Sequence, residues 1–141
     1  MKETCDGAEP AANSVSALNL LRMGRMLHDE EAEGRARQIL AAHAGPIELH
    51  AVPQMMVALD LALSPPEQLV IAGALEESRP LIDGFAFRPR AAKILLDSPQ
   101  AVEFFAKHSP AVREMTKVAG KAALYECRDF TCRPPVTAGP A

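Results

Sequence analysis

The first helical stretch of this chain has no clean polar side. Ser14 to His28 (SVSALNLLRMGRMLH) opens on Asn13 or Ser14 as its N-cap. At about 100° per residue, Val15, Leu18, Leu20, Leu21, Met23, Met26 and Leu27 then point in nearly every direction. A surface helix shows one apolar stripe, so this one needs neighbours on several sides. The next helix, Asp29 to Ala44, has such a stripe, made by Ala32, Ala36, Ile39, Leu40 and His43, with Glu30, Glu33, Arg37 and Gln38 elsewhere. After a Gly45-Pro46 break, a third helix from Val52 to Leu63 carries Pro53 in its first turn. It is again apolar almost all round, through Met55, Met56, Val57, Leu59, Leu61 and Leu63. Inner, outer, inner is the order of stacked helical hairpins. The greasy surface exceeds what 141 residues wrap, so further cover is expected from outside this chain.

Pro65-Pro66 punctuates the chain, and the period then changes. Gln68 to Gly73 (QLVIAG) is a short β-branched run ending in glycine, which reads as a buried strand. Ser78 to Phe87 reads as a short helix started by proline, Ala91 to Ser98 as a second strand and Lys121 to Cys127 as a third. Ser98-Pro99 and Ser109-Pro110 each put a capping residue before a proline at the first helical position, so two short helices fit between the last two strands. From Arg133 the tail RPPVTAGPA is expected to fray. The expected fold class is therefore mainly α with a small α/β segment: helices over 1–66, a three-stranded α/β unit over 67–133 and a flexible tail over 134–141.

Charge narrows the function classes. A formal net charge of -3 and a pI near 5.8 leave none of the basic excess that phosphate neutralisation needs, so nucleic acid is not an expected partner. Five basic and nine acidic residues precede Pro66, and ten and nine follow it, so neither half is a charge tail. No apolar run is long enough for a membrane span, and MKETCDGAEP has no apolar signal core. With three cysteines, an odd number spread over a long chain, a reducing cytoplasm is the expected location. Five Phe, one Tyr and no Trp leave the core to aliphatic residues and methionine, with Met23, Met26, Met55 and Met56 as gap-fillers.

Asp6 to Met23 (DGAEPAANSVSALNLLRM), Gln54 to Gly73 (QMMVALDLALSPPEQLVIAG) and Tyr125 to Thr137 (YECRDFTCRPPVT) together resemble the C-terminal end of thioredoxin domain-containing proteins of the spermatogenesis-associated protein 20 type. That resemblance implies an N-terminal thioredoxin-like domain with a Cys-x-x-Cys motif, then an (α/α)6 six-hairpin barrel of the N-acylglucosamine 2-epimerase kind. It implies that residues 1–63 are the last barrel helices and 68–133 the closing α/β segment. The chain itself holds no Cys-x-x-Cys. The resemblance therefore implies a C-terminal portion without independent catalysis. Its exposed helix faces would meet the N-terminal portion or a second copy, and a small carbohydrate would be the parent's ligand.

Two groups of residues carry the chemical alternatives. Asp6, Glu9 and Asn13 stand before an implied inner barrel helix, where carboxylates and an amide hydrogen-bond sugar hydroxyls or move protons. Equally, they cap the helix and complement its dipole. Glycosidase chemistry needs a second carboxylate across the bond, and this stretch assigns none. Cys127 and Cys132 are five steps apart, a span of roughly 16 Å when extended, whereas a disulfide needs Cα atoms within about 7 Å. Bridging therefore requires a tight turn through Arg128 to Thr131. Reduced structural thiols are the leading expectation, a disulfide redox pair the second and a metal half-site the third, because zinc wants four ligands. VIAGALEES has one glycine where a nucleotide loop has three, and Glu76 and Glu77 repel phosphate, so no cofactor is expected. His28 and His108 suit helix ends, His43 lies on an apolar stripe and His50 in a loop.

Overall fold

A computed structural model describes residues 5–43, 51–85, 87–129 and 131–137. It divides after Pro65 into two units, Met1–Pro65 and Pro66–Ala141, each with its own core. The predicted Gly45-Pro46 break, His50 and the end of the tail lie outside the described residues.

The first unit holds α1 (Ala12–Leu27), α2 (Glu30–Ala42) and α3 (Pro53–Leu63). The Asp29 carboxylate caps α2 by accepting from the Ala32 amide at 3.0 Å, and Glu30, Glu31 and Glu33 complement the dipole of its first turn. The turn from α1 into α2 is sharp because His28 adopts a left-handed conformation (φ 54°). At the crossing Gly24 lets the backbones approach, since a Cβ there would lie 2.5 Å from Glu33 Cγ and 3.0 Å from the Asp29 carbonyl oxygen. α1 packs on both α2 and α3, and this accounts for its lack of a polar side. Ala17, Leu18 and Leu21 meet Ala36 from α2 and Met55, Ala58, Leu61 and Ala62 from α3.

The far end of α3 is closed by a side chain from α1. Arg25 is buried, and its guanidinium donates to the carbonyls of Leu61 at 2.5 Å and Ser64 at 2.7 Å. Burial lowers its pKa, with Glu33 opposing the shift and Arg37 adding to it. A guanidinium stays charged regardless, so a cation is held at the negative end of the helix dipole.

The second unit is built on one mixed sheet. β1 (Glu67–Ala72) leads into α4 (Leu75–Gly84), which crosses to β2 (Ala92–Leu96), parallel to β1. α5 (Pro99–Ala106), capped by the Ser98 hydroxyl, and a 3-10 turn over Pro110–Glu114 follow. β3 (Ala123–Arg128) then runs antiparallel to β1, with β4 (Thr131–Cys132) and β5 (Val136–Thr137) both pairing to β3. β1 is central and shielded on both faces: Leu69, Val70, Ile71 and Ala72 are all buried. Leu69, Ile71, Leu81, Ala122 and Leu124 make the core of one face.

Three expectations from the sequence require correction. The fold is not mainly α with a three-stranded annex. Its second unit carries a five-stranded mixed sheet, because two-residue strands pair onto both ends of β3. The tail from Arg133 does not simply fray, since Val136 and Thr137 pair with Leu124 and Ala123. The reading of residues 1–63 as the last helices of an (α/α)6 barrel is also dropped. The described helices form a three-helix unit in which α1 is flanked by α2 and α3, and Leu18, Leu21 and Met55 are buried and Leu59 half-buried within this chain.

α4 starts at Leu75 rather than at a proline, so Pro80 lies inside it. The earlier start is set by Gly73, which ends β1 at φ +148°, while Ser78 Oγ donates to the Gly73 carbonyl at 3.3 Å. A Cβ at Gly73 would sit 2.8 Å from the Cβ of Ala122 and 3.1 Å from its Cα. We expect Gly73→Ala to cost about 1–3 kcal/mol in urea denaturation, through backbone strain and overpacking together. Unchanged stability would contradict this account of the turn.

Candidate functional site

The loop residues proposed for a pocket take separate partners. The Asp6 carboxylate accepts from the Ala11 amide through Oδ1 at 2.8 Å, and through Oδ2 from the Gln54 amide at 2.8 Å and the Met55 amide at 3.4 Å. Its own amide donates to the Ala51 carbonyl at 2.7 Å. One side chain thus fixes the approach to α1 and caps the first turn of α3 across 48 residues. Burial on its own raises the Asp6 pKa. Hydrogen bonds from the Ser14 side chain and from the Ala11, Gln54 and Met55 amides more than reverse this, leaving it below its ordinary 3.8.

Glu9 is exposed. Asn13 does not cap α1, whose N-cap is Ala11 without a side-chain bond. Instead its Nδ2 lies 3.4 Å from His43 Nε2, while His43 Nδ1 lies 2.8 Å from the Ile39 carbonyl. A proton on Nδ1 satisfies both contacts, leaving Nε2 as acceptor.

Cys127 and Cys132, by contrast, are brought together. They are directly opposed across the β3–β4 ladder with Cα atoms 3.9 Å apart, and the two sulfurs form a disulfide. Of the three expectations for these residues, the structure displays the disulfide. The required turn is supplied by Asp129, at φ 47°, a residue type that tolerates the left-handed region. The pair is asymmetric, for Cys127 is buried and Cys132 exposed. Cys5 lies outside it.

Beside this hairpin is a cleft of about 130 Å³ whose lining includes Glu67, Arg88, Glu126, Cys127, Arg128 and Arg133. It is occupied by an ion-pair cluster. Arg88 pairs with Glu67, stands 4.0 Å from Glu126, and lies over the Phe85 ring at 5.9 Å. Substrate pockets run to about 300–1,000 Å³, so this cleft is too small to enclose one.

A second, more open cleft of about 360 Å³ lies at the carboxyl ends of β1 and β2, between Gly73, Asp97, Ser98, Met115, Thr116 and Lys117. Sequence reasoning missed it. The parallel pairing of β1 with β2, which creates it, follows from the β1-α4-β2 order. Among the described residues no group of three His, Cys, Asp or Glu side chains is placed to hold a metal ion, and no helix is long and apolar enough to cross a membrane.

The chain is similar to spermatogenesis-associated protein 20 of Homo sapiens, 28% identical over 97% of this chain and 18% of the relative. Identity to the Rattus norvegicus protein of that name is also 28%, with the same coverage. An uncharacterized protein of Caenorhabditis elegans is 30% identical over 98% of this chain and 19% of its own length. The chain thus spans less than a fifth of the curated relatives it matches. No family model and no solved structure matches it.

The Asp6 network gives a pH-dependent expectation. A carboxyl whose folded pKa is depressed adds stability that is fully present above the unfolded value, here 3.8, and lost as pH falls through the lower folded value. We expect thermal stability to fall as pH drops below about 4, with Asp6→Asn flattening part of that fall. Because Asp6 is only partly buried, solvent screening limits the cost of Asp6→Ala at pH 7 to about 1 kcal/mol. The same acid profile in Asp6→Asn as in the wild type would contradict the assignment.

Proposed function

From this distant homology to the spermatogenesis-associated protein 20 family, we propose that the chain is a non-catalytic accessory segment of a protein of that kind. One observation carries the reading: similarity runs through 97% of this chain but through only 18% of the relative. In the relatives, therefore, the matched segment works beside a much longer polypeptide.

The first unit carries exposed apolar side chains that such a polypeptide would cover, and Phe87, Phe104 and Val136 are exposed on the second. Val15 and Met23 on α1 and Val57 and Leu63 on α3 are exposed, Leu63 at 78%, although the rest of the helical core is covered. The partner in this reading is the remainder of a longer protein of the family, because the relatives carry both in one chain. A carbohydrate-binding or isomerising role for Asp6, Glu9 and Asn13 has no comparable support, as the Asp6 oxygens are already taken by backbone amides.

A second reading is favoured by one observation, the Cys127–Cys132 bond with Cys132 exposed. It makes the hairpin a thiol-disulfide module. The cytoplasmic location expected from the sequence fits this reading, because disulfides in that compartment are mostly transient and redox-active.

Without its cover, the isolated chain is expected to self-associate in sedimentation velocity and to bind a hydrophobic-surface dye. Met23→Glu combined with Val57→Lys should reduce both, while changing stability by no more than about 1 kcal/mol for two surface positions. A monodisperse wild-type chain that binds no dye would overturn the accessory-segment reading.

A further inference from the structure

We infer that the Cys127–Cys132 pair is a two-electron exchange site whose entry point is Cys132 and whose reductant is a dithiol; this rests on the thiol-disulfide reading above. Three features combine. Cys132 is exposed while Cys127 is buried, so a thiolate arriving from solvent reaches the Cys132 sulfur and expels Cys127 as the leaving thiolate. β4 is the outer strand of the order β2-β1-β3-β4, so Cys132 sits at an open sheet edge. Finally, the two cysteines are directly opposed in the ladder, with Cα atoms 3.9 Å apart. After the first attack Cys127 therefore stays within reach of the mixed disulfide.

That last feature selects the reductant. When a monothiol attacks, it forms a bond to the Cys132 sulfur and the Cys127–Cys132 bond breaks. The neighbouring Cys127 thiolate then attacks the Cys132 sulfur and returns the monothiol. This reversal is intramolecular, with the large effective concentration of a held nucleophile, and it outcompetes a second monothiol from solution. A dithiol has its own internal competitor. Its second thiolate attacks its own mixed-disulfide sulfur, closes a disulfide within the reductant and releases Cys132 as a thiolate. The net change moves two electrons and two protons from the dithiol to the pair: the reductant ends as a disulfide, and Cys127 and Cys132 as thiols.

The test uses the whole chain, dithiothreitol and 2-mercaptoethanol at equal thiol concentration, and iodoacetamide tagging read by mass spectrometry. The untreated chain should take one tag, on Cys5, and the chain treated with dithiothreitol three. With 2-mercaptoethanol it should remain mostly at one. With bis(2-hydroxyethyl) disulfide as probe, the Cys132 thiolate of Cys127→Ser should attack the reagent, form a mixed disulfide and release 2-mercaptoethanol, whereas Cys127 in Cys132→Ser should do so at least about tenfold more slowly. Should either variant fail to fold, the tagging order in the fully reduced wild type answers the same question, with Cys132 tagged before Cys127. Equal reduction by both reagents would overturn the dithiol inference and leave the thiol-disulfide reading standing, and equal rates at the two cysteines would overturn Cys132 as the entry point. Three tags without any reductant, or resistance to both reagents, would overturn the thiol-disulfide reading itself.

Discussion

Two charged side chains, one at each end of α3, hold the first unit in its arrangement. α3 carries no acidic residue in its first turn, no basic residue in its last, and no side-chain cap at Val52. A helix of 11 residues, capped by its own flank only at Ser64, is marginal by itself. Its amino end is closed by the Asp6 carboxylate and its carboxyl end by the Arg25 guanidinium, each of the sign that the helix dipole favours. Both groups come from the stretch that leads into and forms α1. The same contacts that satisfy the ends of α3 therefore lay it along α1, where Met55, Ala58, Leu61 and Ala62 complete the core.

The second unit is organised differently, by backbone pairing. β1 has neighbours on both edges and cover on both faces, and β3 beside it recruits two very short strands. Strands of two residues contribute little pairing of their own, and β4 is held to β3 covalently as well as by the ladder. The disulfide therefore lies at one of the two shortest strands of the sheet. A bond that opens at Cys132 would act where the sheet has least else to lose.

Much of the scaffold is legible in the sequence for simple reasons. The stripe of Ala32, Ala36, Ile39, Leu40 and His43 gives α2, the Ser98-Pro99 pair gives the start of α5, and the β-branched run from Gln68 gives β1. What is not legible depends on distant partners. Asp6 reads as a pocket carboxylate because nothing near it announces that the amides donating to it belong to Gln54 and Met55. The apolar all-round character of α1 reads as unmet demand for neighbours, whereas α2 and α3 meet most of it. β4 and β5 are too short for any period to register. Pro80 reads as a helix start because a proline inside a short helix is unfavourable, and Gly73 and Ser78 set the earlier start instead. The cysteine spacing permits a disulfide without choosing it, and the hairpin turn with its left-handed Asp129 sets the two residues opposite each other.

The clamp on α3 is tested most directly by amide hydrogen exchange at Gln54 and Met55, compared between the wild type and Asp6→Ala. First-turn amides of a helix have no partner within the helix, and here Asp6 Oδ2 is the acceptor for both. Slow exchange at Gln54 in the wild type, accelerated in Asp6→Ala while the amides of Leu69 to Ile71 in β1 keep their rates, is the predicted result. Gln54 exchanging at the same rate in both proteins would contradict the account.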